Sequence, residues 1–426
     1  MIYHLFQALK EFDIPGAGLV NYLTFRALMT ALTSLLMALV FGKRIIRLLQ
    51  KKQIGEEIRD LGLEGQLSKK GTPTMGGVII IVAVLAGVLL WADLSNIYVI
   101  LLCITLLWLG GLGFMDDYIK VFRHNKEGMS EKHKLIGQVA LGVIVGLTVC
   151  YSPKIVTREA VENKTRTEYS IDDEGHVSTK EIVVKEDIVK STKTTIPFVK
   201  SHEFDYRSLA PFKGKWNWWF KWAIYLAMIV LVITACSNSV NLTDGMDGLA
   251  AGTSAISSLV LMVFAYLSGN IIHTGYLNIM FIPGAGEAAV FMAGVLGALV
   301  GFLWYNSYPA QVFMGDTGSL ALGGVIGVCA ILIRKELLLP ILCGIFFMEA
   351  LSVILQRSYF KFTRKKYGAG RRIFRMAPLH HHFQKEGVNA LLQKPAGALP
   401  EAKIVTRFWI IQIILAVITI ALLKIR

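Results

Sequence analysis

Long apolar runs separated by polar loops dominate the chain. Ten of these runs have about the length of 20 residues that an α-helix needs to cross a bilayer. They cover residues 18–42, 75–92, 95–115, 134–151, 217–237, 248–268, 286–305, 318–334, 336–359 and 405–424. The pattern predicts an all-α integral membrane protein with ten transmembrane helices.

The charges between the runs predict the orientation. Residues 43–74 contain eight Lys/Arg and four Asp/Glu, and residues 356–407 contain twelve and two. Since cytoplasmic loops carry the excess of Lys and Arg, both segments are expected to be cytosolic. Ten helices then leave both termini outside. Loops 116–133, 238–247 and 306–317 fall on the same cytosolic face of the cytoplasmic membrane.

One large polar segment, residues 152–215, interrupts the helices. It divides the membrane part into residues 1–151 and residues 216–426, and the orientation predicts that it lies outside the membrane. Residues 165–184 alternate polar and β-branched residues around DDEGH, which indicates a β-hairpin. A disordered insertion is the alternative. On either interpretation we expect an accessory that takes no part in the chemistry.

The composition and charge of the chain limit the kinds of partner that it is expected to bind. Hydrophobic residues make up 54% of the 426 residues, and the net charge is +14. The basic residues lie between apolar runs and not on a polar domain, so anionic lipid headgroups or a phosphorylated substrate are expected, and nucleic acid is not. The five cysteines lie in or beside apolar runs and form no disulfide or metal-binding pattern.

Acidic residues collect in the predicted cytosolic loops. Asp116 and Asp117 end the third run, and Asp316 begins the eighth. Adjacent carboxylates at a membrane boundary are costly unless they meet a cation, and oxygen ligands favour Mg²⁺ or Mn²⁺ over zinc. The alternatives are a solvated helix end for the pair and a simple N-cap for Asp316.

Further polar motifs lie on the same face. NSVNLTDGMDGLA, residues 238–250, suits a nucleotide- or metal-binding loop. APLHHHF, residues 377–383, contains three consecutive histidines that cannot all share one helical face, so a three-histidine zinc site is not expected. The basic segment 359–375 suits either substrate or lipid headgroups. Together these loops favour phosphoryl transfer to a lipid-anchored acceptor.

Five ordered motifs carry a family resemblance. They are GTPTMGG (71–77), FMDDYIK (114–120), NLTDGMDGL (241–249), FMGDTGSLALGG (313–324) and PLHHHF (378–383). In these motifs and in the ten-helix plan the chain resembles the polyprenyl-phosphate N-acetylhexosamine-1-phosphate transferases. GTPTMGG and the triple histidine favour the branch that uses a muramoyl-pentapeptide donor. Residues 152–215 and 386–400 lie outside the resemblance.

The resemblance implies a reaction and its participants. Undecaprenyl phosphate would attack the sugar-linked phosphate of UDP-MurNAc-pentapeptide, which yields lipid I of peptidoglycan and UMP with Mg²⁺ as cofactor. Attack by the lipid phosphate could be direct, or an aspartate could form a covalent phospho-sugar intermediate first. Membrane lipids and a second copy of the chain, as a homodimer, are further expected partners.

The resemblance also implies roles for individual residues. Asp316 would bind Mg²⁺ beside Asp116 and Asp117, and Asp117 would handle the lipid phosphate or its proton. His380, His381 and His382 would surround the pyrophosphate. The implied substrate-binding residues are Lys70, Thr74, Lys120, Lys132, Asn241, Asp244, Gly245, Asp247, Asn306 and Phe313.

Two other functions compete with this one. A sister transferase would use UDP-N-acetylglucosamine on the same lipid. A transporter or flippase would place ionisable residues at mid-membrane on discontinuous helices, whereas here Arg26 and Glu349 are the charges that stand out inside the runs. A pure scaffold would not need five polar motifs on one face.

Overall fold

The computed structural model describes residues 1–8, 17–52, 71–123, 125, 127–171, 177–199, 203–209 and 216–423. Within this part the helices are α1 Ile2–Ala8, α2 Leu23–Lys52, α3 Gly77–Trp91, α4 Ile97–Phe122, α5 Glu131–Tyr151, α6 Trp216–Thr243, α7 Leu249–Ser268, α8 Ile271–Leu277, α9 Gly286–Asn306, α10 Gly315–Leu332, α11 Leu339–Leu342, α12 Gly344–Tyr367, α13 Leu379–Gln384 and α14 Glu401–Leu422. The strands are β1 Thr157–Ile171, β2 Val177–Val189, β3 Lys193–Thr195 and β4 Glu203–Asp205.

The helical membrane architecture is confirmed. In the described part, eight helices are long and apolar enough to cross a membrane, and a ninth if α11 and α12 form one bent span. The remaining predicted run forms α3, whose 15 residues reach only about 22 Å against the roughly 30 Å of a hydrocarbon core. The total of ten crossings therefore stays a prediction.

The prediction of one continuous helix over residues 336–359 is wrong. Residues Glu336–Leu342 and Gly344–Tyr367 meet at an angle of 79°. Cys343 lies at the break, and its N–H still donates to the carbonyl of Leu339 at 2.7 Å. Periodicity alone did not reveal this bend because both halves keep an apolar composition.

Helices α9 and α10 form the centre of the bundle. α9 packs against α2 and α7, and α10 packs against α4 and α6. Small residues bring these helices close together. A Cβ added at Gly297 would lie 2.1 Å from the carbonyl oxygen of Ala31, and one at Gly77 would lie 2.1 Å from the amide nitrogen of Gly318. Close backbone approach through small residues is typical of membrane helix packing.

Arg26, one of the two charges singled out inside the apolar runs, has a buried partner. Its Nη1 donates to Oε2 of Glu287 at 2.7 Å, so α2 and α9 are joined by an ion pair. The same Glu287 oxygen accepts a hydrogen bond from the amide of Asp93 at 3.0 Å. The charge therefore joins helices to one another.

The polar insertion contains the predicted hairpin. β1 and β2 pair antiparallel from Thr157↔Val189 to Ile171↔Val177, with an irregularity between Ala160 and Lys164. The strands are longer than the predicted 165–184, and the turn residues 172–176 lie outside the described part. That the hairpin lies outside the membrane stays a prediction.

The two ends of the insertion pack into the bundle. Ile155, Thr157, Thr194 and Tyr206 are buried, and the Thr195 amide donates to the carbonyl of Arg334 at 3.0 Å. The ends of the insertion are therefore packed into the bundle, while its having no part in the chemistry stays a prediction. Composition did not indicate this burial, because short polar residues become buried here by bonding to the turn after α10.

Candidate active site

Two neighbouring helices bring three carboxylates together. Asp116 and Asp117 lie near the end of α4, and Asp316 lies in the first turn of α10. Single oxygens from the three carboxylates lie within 4.8 Å of one another. Gly113 makes this approach feasible, since an added Cβ there would lie 2.1 Å from the carbonyl oxygen of Asp316.

Asp117 is bound to the beginning of α10. Its Oδ1 accepts from the Asp316 amide at 3.1 Å, and its Oδ2 accepts from the Thr317 amide at 2.9 Å and the Thr317 hydroxyl at 2.6 Å. These are helix N-terminal donors that lack partners within the helix. Asp117 therefore fixes the position of Asp316 relative to α4.

Two lysines neutralise the other carboxylates. Lys120 Nζ lies 2.5 Å from Asp116 Oδ2 and 3.2 Å from Asp316 Oδ2, and Lys134 Nζ lies 3.0 Å and 2.6 Å from the same two oxygens. The site thus combines oxygen donors with cations that can hold a phosphate.

Lys132 was predicted to contact the substrate, whereas Lys134 was not. Both belong to the first turn of α5, but Lys132 is exposed, whereas Lys134 contacts the carboxylates. Two residues turn a helix by about 200°, so only one of the pair can face α4. Helical phase could have identified Lys134, but only once it was known which face of α5 packs against α4.

The carboxylates suit a hard divalent cation. Asp116, Asp117 and Asp316 offer only oxygen, which Mg²⁺ prefers. Both oxygens of Asp117 are held by the amides and the hydroxyl at the start of α10, whereas Asp116 and Asp316 are bound mainly by the long side chains of two lysines. Asp316 and Asp116 are therefore the better candidates for direct ligands. An additional cation would share these oxygens with Lys120 and Lys134.

The loop after α6 closes the next side of the site. Asn241 Nδ2 donates to Asp316 Oδ1 at 2.8 Å and to Ser319 Oγ at 2.9 Å. Burial, followed by the nearby charges of Asp316 and Asp117, raises the pKa of Asp244 to about 8. The first acidic residue of this loop therefore faces the carboxylate cluster.

Other residues of the same loop hold the segment 306–313. Asp247 Oδ2 accepts from the Ala310 amide at 3.0 Å, and the Asp247 amide donates to Glu401 Oε1 at 2.8 Å. Asn306 Oδ1 accepts from the Gly248 amide at 3.1 Å, and its Nδ2 donates to the Val312 carbonyl at 2.9 Å. Asp247 and Asn306 thus fix the backbone of the segment 306–313, which forms one wall of the site.

The GTPTMGG segment lies directly against Phe313. The Phe313 amide donates to the Pro73 carbonyl, and the Phe313 carbonyl accepts from the Gly76 amide, both at 2.8 Å. A Cβ added at Gly315, whose φ is +73°, would lie 2.6 Å from Asp117 Oδ2 and 2.9 Å from Thr74 Oγ1. Thr74 is therefore part of the carboxylate site, while Lys70 lies outside the described residues.

The three histidines have different surroundings. The buried His380 donates its backbone N–H to Glu349 Oε1 at 3.1 Å, and its Nδ1 lies 3.2 Å from Glu349 Oε2. Its Nε2 faces Gly245, where an added Cβ would lie 2.3 Å away. Glu349, the second charge noted within the runs, therefore orients the histidine beside the Asp244 loop. Its position in an apolar run was the signal for a functional role.

His382 faces the opposite way. Its Nδ1 accepts from the Arg375 amide at 3.1 Å, and its Nε2 donates to the Lys394 carbonyl at 2.9 Å. Both nitrogens are occupied in a neutral ring, and burial lowers the pKa of His382. His381 is half-buried, and its ring lies beside that of His380, with the centroids 4.2 Å apart and the planes tilted by 58°. Within this motif, His380 therefore lies beside the carboxylate site, whereas His382 supports the loop that contains Lys394.

Comparison with known proteins agrees with this arrangement. Residues 97–334, which carry both acidic motifs, match glycosyl transferase family 4. This match covers more than half of the chain, so the chain belongs to glycosyl transferase family 4. Residues 69–81 additionally match phospho-N-acetylmuramoyl-pentapeptide-transferase signature 1.

Similar proteins narrow the family further. The chain is 56% identical to the phospho-N-acetylmuramoyl-pentapeptide-transferase of Parabacteroides distasonis, 55% identical to that of Porphyromonas gingivalis and 52% identical to that of Flavobacterium psychrophilum. Each comparison covers 100% of both chains. The chain belongs to the phospho-N-acetylmuramoyl-pentapeptide-transferase family.

Proposed function

We propose that the protein transfers phospho-N-acetylmuramoyl-pentapeptide from UDP-MurNAc-pentapeptide to undecaprenyl phosphate. The products are lipid I, a precursor of peptidoglycan, and UMP. The observation that supports this most directly is the cluster of Asp116, Asp117 and Asp316 with Lys120 and Lys134. Four of the five family motifs meet around it, and PLHHHF joins it through His380 and Gly245.

Direct displacement is the mechanism we favour. An oxygen of the lipid phosphate forms a bond to the sugar-bound phosphorus while the bond from that phosphorus to the UMP oxygen breaks. A phosphate monoester has a second pKa near 6 and is mostly ionised at pH 7, so it needs no strong base. Lys120 and Lys134 would hold the anions in place, since such catalysis is mostly positioning and charge neutralisation.

Asp117 fits a positioning role in this scheme. A covalent route requires a carboxylate that is free to attack phosphorus, whereas Asp117 accepts three hydrogen bonds from the start of α10. These contacts support Asp117 as the residue that aligns Asp316. They give less support to a role in handling the lipid phosphate or its proton.

Mg²⁺ is the cofactor that we propose for Asp316 and Asp116, and when bound it would supply charge stabilisation for the transferring phosphoryl group. Asn241 holds Asp316 by a hydrogen bond of 2.8 Å and so orients one carboxylate for this purpose. His380 would contact the pyrophosphate, with Glu349 keeping its ring in position.

The nucleoside would lie beside the wall formed by the Asp244–Asp247 loop and the segment 306–313. Phe313 is half-buried and offers an aromatic face for uracil. Gly245, Asp247 and Asn306 would shape the same pocket, and Lys70 and Lys132 remain predicted substrate contacts. We place this site on the cytosolic face of the cytoplasmic membrane, because a soluble nucleotide donor and a lipid acceptor must meet there. A homodimer stays a prediction.

A transfer assay tests the function. Purified protein in detergent receives undecaprenyl phosphate, Mg²⁺ and radiolabelled UDP-MurNAc-pentapeptide, and a parallel reaction receives radiolabelled UDP-N-acetylglucosamine. We expect labelled lipid and an equal amount of UMP with the first donor alone, and loss of turnover when a chelator removes Mg²⁺. Transfer from UDP-N-acetylglucosamine alone would assign the protein to the sister activity instead.

A further inference from the structure

A basic cavity lies beside the carboxylate site but contains none of its residues. It has a volume of about 420 Å³, and its walls include Lys43, Arg47, Gln50, Gly71, Thr72 and Gln311. Lys43, Arg47 and Gln50 come from one face of α2, because they are four and three residues apart. The opposite wall comes from the segments that precede Thr74 and Phe313.

The two cations of this cavity have no acidic partner among the residues described. Neither Lys43 nor Arg47 has an ion pair or side-chain hydrogen bond there. Like charges four residues apart on a helix repel each other and destabilise it. An anion between them would remove this repulsion, so the described walls of the cavity have the charge of an anion-binding site.

The cavity shares its walls with the proposed donor site. Thr72 and Gln311 belong to the two segments that pair through Pro73 and Phe313, at 2.8 Å between the Phe313 amide and the Pro73 carbonyl. Gln311 is five residues before Asp316, which limits their separation along the chain to about 18 Å. An extended pentapeptide has about the same reach.

We propose that Lys43 and Arg47 bind a carboxylate of the donor's peptide and so select donors that carry the peptide. This inference rests on the proposed function, in which the donor is a UDP-sugar bearing a pentapeptide. Such a peptide ends in a free carboxylate, and a guanidinium beside an ammonium matches that charge. The sugar phosphate would occupy the carboxylate site while the peptide extends along the wall 71–74 to α2.

The test combines two variants with two donors. Lys43→Gln and Arg47→Gln are introduced together, and Arg44→Gln serves as the matched control, since Arg44 lies on the same helix turn over the Phe41 ring at 5.5 Å and does not line the cavity. One donor is UDP-MurNAc-pentapeptide, and the other is the same molecule with its peptide carboxylates converted to amides.

We expect the double variant to raise KM for the carboxylate donor about tenfold at unchanged kcat. The amide donor should already have the raised KM with the unaltered protein, and the double variant should not raise it further. Arg44→Gln should leave both donors unaffected. An equal KM effect on both donors, or none on either, would overturn the inference.

A phospholipid headgroup could bind the same two cations, so a second set of assays distinguishes lipid from the peptide carboxylate. The assay is repeated in nanodiscs with and without anionic phosphatidylglycerol. A loss of activity in the double variant that follows the anionic lipid fraction and ignores the donor's carboxylates would assign the cavity to lipid and contradict the proposal. Failure of the unaltered protein to transfer from either donor would instead reject the proposed function and this inference with it.

Discussion

Helix α10 carries a group of charged residues at each end, and the two groups differ in access. At its start, the side chains of Asp316, Lys134 and Lys120 are 14%, 18% and 31% exposed. Just after its end, Arg334, Lys335 and Glu336 are at most 2% exposed. One central helix, itself almost wholly buried, therefore joins an accessible cluster to a closed one.

The closed end is sealed by the polar insertion. The Tyr206 hydroxyl donates to Glu336 Oε1 at 3.3 Å, and Lys335 Nζ donates to Thr195 Oγ1 at 2.5 Å. The Arg334 guanidinium lies 4.9 Å from the centre of the Tyr225 ring. These contacts tie the turn after α10 to the insertion and to α6, which indicates a structural cluster.

Buried charge alone does not mark a functional site. Both ends would be costly to leave unpaired in a membrane. The start of α10 differs because its carboxylates share lysines, stay partly accessible and border the proposed donor wall. Substitutions at the start should therefore change turnover, and substitutions after the end should change stability.

The largest effect is expected for Asp316→Asn. Losing a proposed metal ligand should lower kcat by more than about a thousandfold, which corresponds to roughly 4 kcal/mol of transition-state stabilisation. The thermal midpoint should change little, since Asn keeps the shape and can still meet Asn241. Transfer rates and thermal unfolding in detergent check both statements.

Asp93→Asn is the control for Asp316→Asn, since Asp93 lies near the other face of the bundle in the turn after α3. Retention of more than a tenth of the turnover by Asp316→Asn at saturating Mg²⁺ would reduce Asp316 to a helix cap, and the comparison between the two ends would fail.

The next largest effect is expected for Glu336→Gln, and on stability. Gln can keep the hydrogen bond to Tyr206 but removes the negative charge nearest to the buried Arg334 and Lys335. Leaving buried cations without a compensating charge costs several kcal/mol. The thermal midpoint should fall, while kcat per folded molecule stays within about twofold. Replacing Arg334 and Glu336 together by Met should recover part of the loss. A fall in kcat without a fall in the midpoint would show that this end communicates with the active site.

A smaller effect is expected for Gly113→Ala. The new Cβ would meet the carbonyl oxygen of Asp316, so α4 must move away from α10, at a cost of about 1–3 kcal/mol in stability. We expect kcat to fall ten- to a hundredfold because Asp116 and Asp117 shift relative to Asp316. Gly111→Ala is the matched control, since a Cβ there has nothing within 4 Å. Equal behaviour of the two variants would show that the spacing of the carboxylates is not critical.

Much of the site could be predicted because its chemistry is local in sequence. Asp116, Asp117 and Asp316 are acidic residues beside apolar runs, and burying such groups is costly unless they serve a purpose. Lys134 and Glu349 were not assigned roles, because each depends on which face of its helix turns inward. The bend at Cys343 and the burial of Thr194 and Thr195 left no compositional signal at all.

Hydropathy and residue type were sufficient to predict the membrane class, the positions of most helices and the motifs that carry phosphate chemistry. These follow from hydrophobic length and from residue types that must not be buried alone. Which charges meet could be seen only in the packed helices, because helix phase and the close approach allowed by Gly77, Gly113 and Gly297 set the distances between elements. The tertiary structure also decided that one end of α10 is accessible and the other sealed, since segments distant in sequence, among them Thr195 and Tyr206, must fold back to close it.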